Sequence, residues 1–201
     1  MKVAILTFDG FNELDTFIAL GLINRLSHIG WSAVVTSPTA QVTSMNGVTV
    51  TAQQPLEFAN EADIVLFGSG IHARTIAREG TLLDRLQLDP VRQLIGGQCS
   101  GTLLMARLGL LADTPACTDD MTKPWIVEAG VRVLEEPFHA RGPIATAGGC
   151  LASQYLAAWA MVLHANPNAT RNALHYATPM SEKDAYVERL LNVIKPFLPP
   201  A

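Results

Sequence analysis

The chain has few residues that staple a fold or carry charge, and no apolar run long enough to cross a bilayer. Its 201 residues hold three cysteines, Cys99, Cys117 and Cys150, an odd number without a CxxC pair. That excludes a disulfide framework and a cysteine-based zinc site, so reduced thiols and a cytoplasmic setting are expected. Only 16% of the residues are charged, and the formal net charge of −4 is spread along the chain. No basic run is present to release counterions from phosphates or to hold an anionic bilayer surface, so neither nucleic acid nor a membrane is an expected partner. The longest apolar stretch, CLASQYLAAWAMVLHA (150–165), is shorter than a bilayer span and carries Ser153, Gln154 and His164. The opening MKVAILTFDG turns polar too soon for a signal-peptide core and has no cleavage site. The G-x-G-x-x-G fingerprint is missing, which argues against a phosphate cradle. Linkers, repeats and low-complexity segments are missing as well, so residues 1–201 read as a single domain.

What is present is apolar residue in quantity, 49% of the chain, pointing to a layered core and an apolar subunit interface. Short apolar runs at 2–8, 32–37, 63–70 and 93–99, separated by helical patterns, predict a parallel sheet buried on both faces. Between the first two runs, Leu14, Phe17, Ile18, Leu20, Gly21, Leu22 and Ile23 form the apolar side of a helix, and Gly30 ends it. Residues 41–52 alternate around Asn46-Gly47 and predict a small two-stranded ribbon. A further strand is expected at 143–149, a helix at 151–165, and a last helix at 181–197 with Ser181 as its cap. The fold class is α/β with a mainly parallel sheet.

Gly97, Gln98, Cys99, Ser100 and Gly101 fit G-x-C-x-G at a predicted strand end with a helix following. This is the thiol counterpart of a nucleophile elbow, in which small neighbours let the backbone turn sharply under an exposed nucleophile. The expectation is a Cys99 sulfur above a helix N-terminus, with a lowered pKa and the Ser100 amide facing an anion on the substrate. The Ser100 hydroxyl is expected to place a water molecule. The alternative is a buried cysteine in a tight turn. FGSG (67–70) offers the Ser69 or Gly70 amides to complete an anion hole, or is an ordinary turn. His72, two residues on, either reaches the same crevice or is an exposed loop residue. Cys117 and Cys150 sit in apolar contexts and read as small structural hydrophobes. His139, His164 and His175 lack metal-ligand spacing, so no metal and no cofactor are expected. Trp125 is the best pocket candidate among the tryptophans, with Trp31 and Trp159 read as core or interface.

These residues carry a resemblance over nearly the whole chain. Through KVAILTFDGFNELDTFIALGLI, IVLFGSG, IGGQCSGTLLMARLGLL, PACTDD and IATAGGCLASQYLAAWAM, in that order, the sequence resembles the ThiJ/PfpI family of the class I glutamine-amidotransferase-like superfamily. Within it, the early acid, the G-x-C-[ST]-G elbow and the late T-x-G-G strand end look most like the isonitrile hydratase branch. The resemblance implies a flavodoxin-like three-layer sandwich, usually a homodimer, with a small-molecule substrate. It also implies a carboxylate, mapping to Asp15, beside the thiol. On its own Asp15 reads as a helix N-cap ahead of TFIALGLI. As a catalytic acid in an apolar crevice it would have a raised pKa. Gly148 and Gly149, which turn the strand into the helix, border the thiol crevice by the same resemblance.

One departure matters. Where many relatives carry a histidine, PACTDD places Asp119, which speaks against a Cys-His mechanism. Asp119 is either in the site or a solvated loop residue beside Asp120. The implied function is hydration of an isonitrile to an N-substituted formamide through a thioimidate on Cys99, with Asp15 as acid and base. The alternatives are glutathione-independent glyoxalase-like carbonyl chemistry and a non-enzymatic module that senses oxidation at Cys99. A regulator with a following helix-turn-helix domain is not expected, because one helix is all that precedes Ala201.

Overall fold

The computed structural model describes residues 1–199. In chain order the elements begin with β1 (Lys2–Leu6), α1 (Glu13–Ile23), β2 (Ser32–Ser37), β3 (Gln41–Thr43), β4 (Thr49–Thr51) and β5 (Gln54–Pro55). Then come β6 (Ile64–Phe67), α2 (Ala73–Glu79), β7 (Leu94–Gln98), α3 (Gly101–Arg107) and α4 (Lys123–Glu128). The chain closes with β8 (Phe138–Arg141), β9 (Ile144–Ala147), α5 (Ser153–His164), α6 (Pro167–Ala177) and α7 (Lys183–Ile194). Seven strands form one sheet in the order β5-β2-β1-β6-β7-β9-β8. All pairings in it are parallel except that of the edge strand β8 with β9. The apolar runs expected as buried strands are therefore the middle of the sheet, and β3 and β4 form the separate ribbon, with Val42 opposite Val50.

Side-chain alternation along the strands sorts the core into two halves. Val3, Ile5, Ile64 and Leu66 face α1, α5, α6 and α7, meeting Ile23, Leu156, Trp159 and Leu190. Ala4, Leu6, Val65, Phe67 and Ile95 face the other way, toward α2, α3 and α4, meeting Leu104, Met105 and Ile126. The result is the three-layer α/β sandwich expected. Each fully buried large side chain, such as Ile5, Ile64 or Ile95, contributes roughly 1.5–3 kcal/mol. At the far end of α1, the Asn24 side chain donates to the Ala33 carbonyl and accepts from the Ala33 amide, both at 2.9 Å, fastening the helix to β2. Gly30 ends this segment in the left-handed region at φ 85°. No helix among the described residues is long and apolar enough to cross a membrane.

Two expectations about the C-terminal third are corrected. Ser181 does not cap the last helix: it is left-handed at φ 67°, and its hydroxyl donates to the Met180 carbonyl at 2.6 Å, two residues before α7 starts. A helix also stands where none was expected. α6 begins at Asn166, whose side chain accepts from the Ala169 amide at 2.8 Å, with Pro167 filling the first turn, where no N–H is needed.

Candidate active site

Four neighbouring strands, β1, β6, β7 and β9, end side by side, and each delivers one part of the site just past its carboxyl end. From β1 come Asn12 and Asp15; from β6, Ser69 and Gly70; from β7, Cys99; from β9, Gly149 and Cys150. This is the edge at which an open parallel sheet leaves a crevice for ligands.

Cys99 makes the turn from β7 into α3 with φ 47°, and it shares left-handed geometry with Ser181 alone among the described non-glycine residues. Such a backbone costs roughly 1–2 kcal/mol and has to be held in place. The Cys99 amide donates to the Ala147 carbonyl at 2.9 Å, and its own carbonyl accepts from Thr118 Oγ1 at 2.8 Å. A Cβ at Gly101 would overlap the Phe67 carbonyl oxygen, so only glycine lets the elbow lie this close to the end of β6. Ser100 Oγ locks the same approach, donating to the Gly70 carbonyl at 3.1 Å and accepting from the Gly70 amide at 3.0 Å. Two expectations change as a result. The Ser100 hydroxyl spends its proton joining two loops and has none for a water molecule, and the Gly70 amide is committed to that hydroxyl and not to an anion hole. The Ser69 and Ser100 amides have no protein acceptor among the described residues, and both residues line the cavity.

Asp15 is not the cap of α1. Asn12 is, its Oδ1 accepting from the Leu14 amide at 3.0 Å. Asp15 in the first turn is thereby free to turn inward, where it is 2% exposed. Its Oδ2 accepts from Ser69 Oγ, its main-chain carbonyl accepts from Ser153 Oγ at 2.7 Å, and its Oδ1 has no hydrogen-bond partner. A carboxylate oxygen and the sulfurs of Cys99 and Cys150 lie within 4.8 Å of one another. Burial pushes the Asp15 carboxyl above its ordinary value, opposed by the Ser69 hydrogen bond and by the nearby thiols of Cys150 and Cys99 and reinforced by the Asp119 charge.

The expected low pKa at Cys99 is overturned. Burial, and after it the charges of Asp15 and Asp119, hold this thiol well above its ordinary value. The residue is only 4% exposed, and the partial charge at the start of a seven-residue helix does not outweigh the loss of water and two nearby carboxylates. The site thus sets a thiol held up by burial beside a carboxylate oxygen that can accept its proton.

The cavity above these groups has a volume of about 430 Å³ and carries Met45, Ile71, Met121 and Trp125 on its walls, with Asp119 among them. Asp119 is half-buried, and its Oδ1 accepts from the Thr122 amide at 2.9 Å to start the turn into α4. The α4 helix presents Trp125, whose ring lies 4.7 Å from the Arg74 guanidinium. His72 is exposed and is not on the cavity wall; it lies against Gly10. Gly148 is not on the wall either: it packs on Thr118 so tightly that a Cβ would overlap the Thr118 carbonyl, and Gly149 borders the cavity instead. A larger concavity of about 520 Å³ opens beside Leu94, Pro143, His164 and Phe197, at the amino ends of β7 and β9, with no nucleophile on its wall.

Sequence reasoning missed two residues of the site. Cys150, expected to be structural, lines the cavity and accepts from Asn12 Nδ2 at 3.2 Å. Its position directly after the T-x-G-G strand end was the signal available. Asn12 was hidden within the loop before α1. Cys117 does behave as a buried small residue, with its amide donating to Thr146 Oγ1 at 2.8 Å. Two sulfurs and a carboxylate are atom types that suit a thiophilic cation, and Asp15, Cys99 and Cys150 form the one such group among the described residues.

Comparison with known proteins agrees with this architecture. The structure is similar to Schizosaccharomyces pombe DJ-1, at 17% identity and a TM-score of 0.74, covering 89% of this chain and 100% of that one. It is similar to a ThiJ/PfpI family protein from Pseudomonas syringae, at 16% identity and a TM-score of 0.76, covering 96% of this chain and 87% of that one. It is also similar to an oxidized Toxoplasma gondii DJ-1, at 19% identity and a TM-score of 0.70, covering 87% of this chain and 96% of that one. At these identities the likeness establishes the fold. Comparison with curated proteins gives no match. The model of the DJ-1/PfpI family matches residues 1–162, which take in the sheet, the elbow and every residue of the site described above. The chain belongs to the DJ-1/PfpI family.

Proposed function

We propose that this protein hydrates an isonitrile, R–N≡C, to the N-substituted formamide, with Cys99 as nucleophile and Asp15 as acid and base. The observation that carries the reading is the apposition of the Cys99 thiol and a carboxylate oxygen of the buried Asp15 within 4.8 Å, under a cavity with apolar walls. An isonitrile is neutral and weakly solvated, so it suits such walls. The raised pKa values of both groups fit a proton relay better than a standing thiolate. As Cys99 Sγ adds to the terminal carbon, its proton passes to Asp15 Oδ1 and from there to the same carbon, giving the thioimidate S–CH=N–R. Water then adds to that carbon, with the Ser69 and Ser100 amides, which have no protein acceptor among the described residues, donating to the oxygen's developing charge. The C–S bond breaks, the nitrogen keeps a proton, and the formamide leaves as Cys99 regains its own.

Met45, Ile71 and Met121 are exposed as well as wall residues, and a homodimer that covers them is part of the same reading. So is a cytoplasmic setting, which would keep the three free cysteines reduced. The test is to incubate wild type and Cys99→Ala with a small alkyl isonitrile and, separately, with methylglyoxal. Formamide from wild type alone supports the proposal. Equal formamide from Cys99→Ala overturns it, and lactate from methylglyoxal without any formamide moves the assignment to carbonyl chemistry.

A further inference from the structure

Cys150 has no part in the reaction just described, yet its sulfur shares a carboxylate with the nucleophile. We infer that Cys150 is a resolving thiol, and that Cys99 and Cys150 together reduce a hydroperoxide by closing an intramolecular disulfide across the site.

Five features place the pair. The two sulfurs and the Asp15 oxygen lie within 4.8 Å of one another, so a rotamer change at either cysteine brings the sulfurs toward the bonding distance of about 2 Å. The segments that carry them are tied to each other: Gln98 Nε2 donates to the Gly149 carbonyl at 2.8 Å, and the Cys99 amide to the Ala147 carbonyl at 2.9 Å. Asn12 Nδ2 donates to Cys150 Sγ at 3.2 Å, a contact that stabilises negative charge developing on the attacking sulfur and partly offsets the burial and the Asp15 charge that hold this thiol up. A carboxylate oxygen of the buried Asp15 stands by the two thiols as an acceptor. Cys150 also lines the open cavity and is half-buried, whereas Cys117 is fully buried and does not line it.

The chemistry balances with one hydroperoxide, ROOH, as co-substrate. Cys99 sulfur attacks the outer peroxide oxygen and the O–O bond breaks. The sulfur is oxidised to sulfenic acid, and the thiol proton, passed through Asp15, leaves on the alcohol ROH. Cys150 sulfur then attacks Cys99 sulfur and the S–O bond breaks. The departing hydroxide takes the Cys150 proton through the same carboxylate and leaves as water. The net change is two thiols and ROOH to one disulfide, ROH and H₂O. Without a resolving thiol, sulfenic acid is open to further oxygen and to irreversible sulfinic acid.

This inference needs only a reachable Cys99 and does not rest on isonitrile hydration. The reduced full-length protein, Cys150→Ser and Cys117→Ala are each treated with a slight excess of tert-butyl hydroperoxide and followed by intact mass, dimedone trapping and peptide mapping. The expected wild-type product has lost two hydrogens, carries a Cys99–Cys150 cross-linked peptide, runs as a monomer on a non-reducing denaturing gel, and recovers both thiols with dithiothreitol. Cys117→Ala should behave the same. Cys150→Ser should gain one oxygen at Cys99, trapped by dimedone, and then a second that dithiothreitol does not remove. Sulfinic acid forming at Cys99 equally fast in wild type and Cys150→Ser would overturn the assignment, as would a disulfide that uses Cys117 or a second chain. Isonitrile turnover measured on the untreated reduced samples reports separately on the hydration reading.

Discussion

Replacing Asp15 with asparagine separates two ways the site can work. The substitution keeps the shape of the side chain and an oxygen for Ser69 Oγ to meet, and removes the charge. The Cys99 thiol is held up by burial first and by the Asp15 charge second, so Asp15→Asn lowers the thiol pKa and raises the thiolate fraction near neutral pH. If thiolate supply limited turnover, the variant would be faster. The relay requires the opposite, because nothing would accept the S–H proton or return it to carbon. Loss of a general acid and base costs about 10²–10⁴-fold in rate, or about 3–5 kcal/mol of barrier.

The same residue makes a statement about stability. The folded-state pKa of Asp15 lies above its ordinary 3.8, chiefly because burial disfavours the charge. The folded chain therefore binds that proton more tightly than the unfolded one. The stability this contributes is complete below 3.8 and is lost as pH rises through the folded value. Asparagine has no charge to bury, so Asp15→Asn should melt at or above wild type near neutral pH and lose that advantage in acid. Three measurements cover the case: iodoacetamide alkylation of Cys99, isonitrile hydration, and thermal melts at neutral and acid pH. The combination of faster alkylation, collapsed turnover and an undiminished melting temperature is the expected result. Turnover at or above wild type, or slower alkylation, would refute the relay.

Ser69→Ala removes the one hydroxyl that holds Asp15 Oδ2 and should cost about 1–3 kcal/mol of stability, read from denaturant midpoints. That hydrogen bond also lowers the Asp15 pKa, so the acid limb of the pH–rate profile should move to higher pH, and a profile that stays in place would count against Asp15 as the base. Gly101→Ala would press a Cβ onto the Phe67 carbonyl and within 2.8 Å of the Gly68 carbonyl. It should lower stability by roughly 1–3 kcal/mol, since neither backbone group can yield as a side chain does; an unchanged melting temperature would show that the elbow tolerates the shift. Asn166→Ala deletes the α6 cap and should cost about 1 kcal/mol while leaving turnover per folded molecule unaltered.

Local chemistry accounts for what was legible in the chain before any coordinates. The apolar runs became strands because alternating residues meet helices on both faces, and Asn46-Gly47 became a turn because the pair tolerates its geometry. Cys99 stood on a sharp elbow because glycines at 97 and 101 flank it. Ser181 and α6 were misread for a related reason. A serine before a helical pattern caps only if its own backbone is extended, and the Asn166-Pro167 start of α6 lay between two louder apolar patterns. Asp15 was recognised through resemblance, since its local context favours a capping role that Asn12 in fact fills.

By itself, then, the sequence determined the layered α/β architecture, the position of the elbow and the cysteine that stands on it, because each depends on residues a few positions apart. Only the tertiary structure decided what surrounds the sulfur. The strand order β1-β6-β7-β9 brings Asp15, Ser69, Cys99 and Cys150 to one mouth from four distant parts of the chain. It also removes His72 from the wall, commits the Gly70 amide to Ser100, and raises the thiol pKa that the local motif alone would lower. The physical reason is that a pKa and a reacting pair are set by burial and by charges within a few ångströms, and neither distance is written in sequence separation.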